Sequence, residues 1–139
     1  MLLRVDVAGL CHSDLHILDG AFAMEAAYKK MGMPFQLALS HEIGGTVIAT
    51  GDGVDSVTVG KEYVLYPWLG CGDCIQCNDS NSDEVFCMGR TKNYGVNNNG
   101  GFASHLIVPD AKYLVDPGNV PMPLAATCKQ TRHLHPRLE

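Results

Sequence analysis

Apolar and polar positions alternate in short runs broken by glycine, and that rhythm predicts strands. In LLRVDVAGL, Leu3, Val5 and Val7 fall on one side and Arg4 and Asp6 on the other, the period-two pattern of a half-buried strand. GGTVIATG reads as a buried strand, and DGVDSVTVGKEYVLYPW as a Gly/Asp turn followed by a second one. NNNGG at 97–101 is a turn signal, and FASHLIVP and KYLVDP after it read as two further strands. Residues 19–34, rich in Ala and Met, fit a short helix or a loop. Pro117, Pro121 and Pro123 mark a linker, and the basic tail KQTRHLHPRLE has no apolar period. Short strands at close spacing with glycine turns predict a mainly β domain, a barrel or a sandwich.

Composition narrows the picture. The chain has 139 residues, enough for one domain with a real core. A hydrophobic fraction of 46% with 18% charged residues is an ordinary soluble balance. The 15 glycines agree with many turns and little helix. A net charge of −5 argues against non-specific binding to nucleic acid or to an anionic membrane, since both need a basic face. No apolar run is long enough to span a bilayer, and the start lacks the layout of a signal peptide. A cytoplasmic, reducing setting is therefore expected, where clustered cysteines more often bind metal than form disulfides.

CGDCIQC carries the clearest chemistry. Cys71, Cys74 and Cys77 make two C-x-x-C steps, and Cys87 closes the group. Such a step lets one tight turn aim two sulfurs at one ion, and Gly72 supplies freedom for that turn. Three equally spaced cysteines suit neither a disulfide framework nor a dithiol redox pair. Four thiolates leave no position for water, so the expected ion is a structural zinc; an iron–sulfur cluster is the alternative.

A second cluster is more dispersed. Cys11 heads CHSDLH, and Ser40-His41-Glu42 precedes a buried strand. Cys11 and His41 suit one zinc, with Cys128 or Glu42 as a third ligand. Three protein ligands leave a position open, which distinguishes a catalytic zinc from a structural one. Taken singly these signals are weak. A lone cysteine at a strand end is more often a small buried side chain, and a lone histidine more often a hydrogen-bonded surface or core residue.

The order of these motifs resembles the catalytic domain of the zinc-containing medium-chain alcohol dehydrogenases. The matching stretches are AGLCHSDLH, HEIGGTVIATGDGV, YPWLGCGDCIQC with its fourth cysteine, and NNGGFASHLIVP. The resemblance covers roughly residues 1–126. It implies a GroES-like, partly open β-barrel with a four-cysteine zinc lobe over 1–126, and a divergent tail at 127–139. In the family a Rossmann NAD(P) domain follows. No G-x-G-x-x-G lies in this chain, so the cofactor domain is expected to be absent.

The resemblance also assigns roles. Cys11 and His41 would hold the catalytic zinc with Glu42 beside it, since a glutamate at this position is a ligand in polyol-dehydrogenase relatives. Asp14 would accept a hydrogen bond from the His41 ring. Ser13 would take the proton of the alcohol. His16 would pass it toward solvent, because an imidazole titrates near neutrality. His12 would lie against the cofactor pyrophosphate, and Trp68 would wall the substrate pocket. The implied substrate is a small-molecule alcohol, oxidised by hydride transfer to NAD or NADP.

Three departures matter. Residues 78–86 separate Cys77 from Cys87 by more than the usual family gap and lack its usual Gly. The family has further β-structure before the first strand. Without it a barrel edge is expected to be open, which invites a homo-oligomer. LAATC places Cys128 about two residues early, and the tail after it matches nothing in the family. The 139 residues alone are expected to be inactive, and a non-catalytic zinc-binding module is the competing reading.

Overall fold

The computed structural model of the chain describes residues 1–20, 26, 37–79 and 84–127. Most of the Ala- and Met-rich stretch, residues 80–83 and the tail from Cys128 onward lie outside the described residues.

Five strands form one antiparallel sheet: β1 (Leu2–Gly9), β2 (Glu42–Ala49), β3 (Glu62–Leu65), β4 (His105–Ile107) and β5 (Leu114–Val115). Their order is β4-β1-β2-β3-β5, with β4 and β5 as the two edges. The expected strands all form, and the open sheet with few short helices agrees with the mainly β, partly open GroES-like architecture. The helices are α1 (His12–Leu18), α2 (Ile75–Asn78) and α3 (Met122–Thr127), with 3-10 turns at Glu84–Phe86 and Ala111–Tyr113. No helix among the described residues is long and apolar enough to cross a membrane.

The alternation of β1 is not carried through to its end. Val5 pairs with Gly45 and Val7 with Gly44, with a register shift between them. The extra residue, Asp6, forms a bulge, and a bulge reverses which face later residues occupy. Leu3 and Val5 therefore face the main core with Ile43, Val47, Leu65 and Tyr94, whereas Val7 packs in a second cluster on Val64, Met122 and Ala125.

That second cluster corrects the reading of the proline segment as a linker. Pro121 opens α3, where a residue without an N–H is well placed, and its carbonyl accepts from the Leu124 and Ala125 amides at 2.9 Å each. Met122, Ala125 and Ala126 are buried against the sheet. A Cβ on Gly44 would collide with the Met122 side chain, so the glycine in β2 is what lets α3 lie so close. Removing the Met122 side chain from water contributes about 1.5–3 kcal/mol.

Candidate metal centres

The four cysteines converge. Their sulfurs all lie within 4.8 Å of one another. Cys74 Sγ is 3.5 Å from that of Cys77 and 3.8 Å from that of Cys87, and Cys71 and Cys77 are 4.0 Å apart. A tetrahedron with metal–sulfur bonds of about 2.3 Å places its sulfurs about 3.8 Å apart, whereas a disulfide needs about 2.05 Å. The spacing fits one ion. Gly72 turns with φ 80°, as the first C-x-x-C step requires. Amides point at the sulfurs: Cys71 and Gly89 N–H donate to Cys87 Sγ at 3.3 Å each.

Cys74 and Cys77 are driven apart in proton affinity. Cys74 is lowered to about 6, chiefly by the backbone amides of Cys77 and Met88. Cys77 is pushed up to about 12: the Gly72 amide pulls it down, but burial and the three neighbouring sulfurs outweigh that. Like charges this close keep protons among them until a cation replaces those protons.

Glu84 ties the lobe to the sheet. It is buried, although its sequence reads as part of a polar loop. Its carboxylate accepts from the Gly70 amide at 2.7 Å, the Tyr113 hydroxyl at 2.6 Å and Lys112 Nζ at 2.6 Å. Burial alone would raise its pKa, but Lys112, Tyr113 and the Gly70 amide together hold it below the ordinary value.

The second centre is set by strand register. Gly9, at the end of β1, pairs with Glu42, at the start of β2. Cys11 and His41 therefore sit just beyond the same end of one ladder. Cys11 is the extended N-cap of α1, and Asp14 at the third helical position reaches back to its amide at 2.8 Å. The other oxygen of Asp14 accepts from the Ser40 amide at 3.0 Å. One fully buried carboxylate thus fastens the segments that carry Cys11 and His41. The His41 Nδ1 lies 3.7 Å from Asp14 Oδ1, so the expected ring hydrogen bond is a longer electrostatic contact, the nearer contacts of the carboxylate being to two amides.

Cys11 Sγ, a ring nitrogen of His41 and a carboxylate oxygen of Glu42 lie within 4.8 Å of one another. His41 and Glu42 are buried and Cys11 is half-buried. A thiol, an imidazole and a carboxylate gathered at one point are a donor set that suits zinc. Cys128, the other candidate third ligand, lies outside the described residues. Ser13 Oγ is 3.6 Å from the Cys11 sulfur. His12 and His16, both exposed, stack with ring centroids 4.6 Å apart. Trp68 is half-buried, its ring 5.8 Å from that of His41.

Three features escape sequence reading. Helix α1 had a signal, an Asp at the third position after Cys11. Ser40 and Glu84 had none, because their partners are remote in the chain.

The chain matches the Alcohol dehydrogenase GroES-like domain family over residues 1–119. It is 33% identical over 114 residues to an NAD-dependent alcohol dehydrogenase of Sulfolobus acidocaldarius, covering 82% of this chain and 32% of that protein. It is 34% identical over 125 residues to the D-altritol 5-dehydrogenase of Agrobacterium fabrum, covering 90% of this chain and 34% of that one. The solved structure of acetophenone reductase from Geotrichum candidum in complex with NAD superposes with a TM-score of 0.73 at 34% identity, covering 92% of this chain and 35% of that one. The chain therefore spans about a third of the length of the relatives it matches. With the sheet, the four-cysteine lobe and the Cys11–His41–Glu42 group in agreement, the chain belongs to the GroES-like domain family of the zinc-containing medium-chain alcohol dehydrogenases.

Proposed function

We propose that this chain is the GroES-like catalytic-domain portion of a zinc-dependent dehydrogenase that oxidises an alcohol by hydride transfer to NAD or NADP. The observation that carries this reading is the convergence of Cys11, His41 and Glu42 at one end of the β1–β2 ladder, apart from a complete four-cysteine lobe. Residues 1–126 form the domain on this reading, with 127–139 a divergent tail.

Cys71, Cys74, Cys77 and Cys87 hold a structural zinc. Cys11 and His41, with Glu42 or Cys128 as third ligand, hold the catalytic one. The bound zinc supplies Lewis acidity toward an alcohol oxygen, and the nicotinamide supplies the hydride acceptor. The residues of the chain do the rest. Asp14 orients the ligand segments through the Cys11 and Ser40 amides. Ser13, next to the Cys11 sulfur, takes the proton of the alcohol. His16 lies three residues on, on the same face of α1, and passes that proton to solvent. His12 meets the cofactor pyrophosphate, and Trp68 bounds the substrate beside His41.

The burial of Glu42 within the ligand group favours a second reading, a polyol dehydrogenase in which Glu42 is the third ligand. The D-altritol 5-dehydrogenase relative supports it.

Elemental analysis tests the proposal. Two zincs per chain are expected, one lost in Cys74→Ser and the other in Cys11→Ala. A single zinc that Cys11→Ala leaves in place would favour the non-catalytic zinc-binding module.

A further inference from the structure

Ser40 has the one positive φ outside glycine among the described residues, at 73°. It is fully buried. A left-handed backbone is unfavourable for an L residue, so the surroundings must hold Ser40 there. They do so from three sides. The Ser40 hydroxyl donates to the Gly9 carbonyl at 2.8 Å, and its amide donates to Asp14 at 3.0 Å. Its carbonyl accepts from the Gly101 amide at 2.9 Å, in a segment where a Cβ on Gly95 or Gly100 would collide with that same oxygen.

Two consequences follow for the Cys11–His41–Glu42 group. The left-handed turn directs the chain into His41. The hydroxyl clasp reaches Gly9, two residues before Cys11, and so joins the exit of β1 to the entry of β2 at the point where the ligands meet.

We propose that Ser40 is a positioning residue for this metal centre, and that its hydroxyl, through Gly9, sets the placing of Cys11 relative to His41. The inference rests on the metal reading given above. The hydroxyl contributes in a way that glycine, the residue best suited to the backbone angle, cannot replace. Ser40→Gly relaxes the φ strain and removes the clasp; Ser40→Ala keeps the strain and removes the clasp.

The test uses the full 139-residue chain. The four-cysteine lobe is first filled with zinc, and cobalt is then titrated while its visible absorption is followed. The parent chain is expected to take up one further cobalt with a thiolate-to-metal charge-transfer band. Ser40→Gly and Ser40→Ala are each expected to bind that cobalt about tenfold more weakly, with altered d–d bands, in the range seen when groups that orient metal ligands are removed. Zinc in the four-cysteine lobe is expected to be unchanged. If Ser40→Ala does not fold, Ser40→Gly decides the matter alone. A Ser40→Gly chain with the affinity and spectrum of the parent overturns the inference while leaving the metal reading intact. A parent chain that takes up no further cobalt overturns the metal reading and the inference with it.

Discussion

The hydroxyl of Tyr113 donates to the carboxylate of Glu84 at 2.6 Å, joining the turn before β5 to the turn before Cys87. With the Gly70 amide and Lys112 on the same carboxylate, the sheet and the cysteine lobe share one buried anchor. Tyr113→Phe is expected to destabilise the chain by about 1.5–3 kcal/mol, the range for a hydrogen bond to a charged group. Glu84→Gln tests the charge through pH. The folded pKa of Glu84 is depressed below 4.5, so its contribution is present above that value and is lost as pH falls through the lower folded pKa. In urea titrations the stability gap between parent and Glu84→Gln should stay constant from neutrality to about pH 5 and narrow below pH 4.5. A gap that does not change with pH would show that the carboxylate charge is not what anchors the lobe.

Cys74→Ser is expected to release the zinc of the lobe and to loosen the segments that carry the four cysteines, because metal binding there is folding energy. Zinc uptake by the parent must expel the proton that Cys77 holds, so affinity should fall as pH drops through neutrality, and more steeply below about 6, where Cys74 regains its proton as well. Chelator competition across pH measures this. Unchanged zinc content in Cys74→Ser refutes the four-thiolate site.

Gly44→Val should displace α3. The added side chain meets Met122 Sδ and Cγ where α3 crosses β2. Overpacking of this kind costs about 1–3 kcal/mol. Pairing it with Met122→Ala should recover part of that loss, because the smaller side chain makes room. Thermal melts of the two single variants and the double read this coupling. Strict additivity would mean that α3 does not rest on Gly44 in solution.

The 139 residues alone should turn over no alcohol. Hydride transfer needs the nicotinamide held at about 3–3.5 Å from the substrate carbon, and that positioning supplies much of the rate. His12 is the one cofactor contact proposed in this chain, and a single imidazole cannot orient a dinucleotide. The zinc-loaded chain with NAD or NADP should show no oxidation of ethanol, longer primary alcohols or sorbitol above a metal-free control. Saturable turnover lost in Cys11→Ala would falsify this expectation.

The sequence by itself determined the strands, the family and the four-cysteine lobe. Each rests on local pattern: period-two alternation in LLRVDVAGL, the C-x-x-C steps from Cys71 to Cys77, and the order of short motifs. Pattern also singled out Cys11, His41 and Glu42 as candidates, but their meeting depends on pairing Gly9 with Glu42 across the sheet. Only the tertiary structure decided that Asp6 bulges and turns Val7 to the second cluster, that the proline segment opens a packed helix, and that Asp14 lies nearer two backbone amides than the His41 ring. Ser40 and Glu84 belong to the same class. Each is a buried polar residue whose role comes from partners distant in the chain, and no local periodicity records which groups a buried side chain will reach.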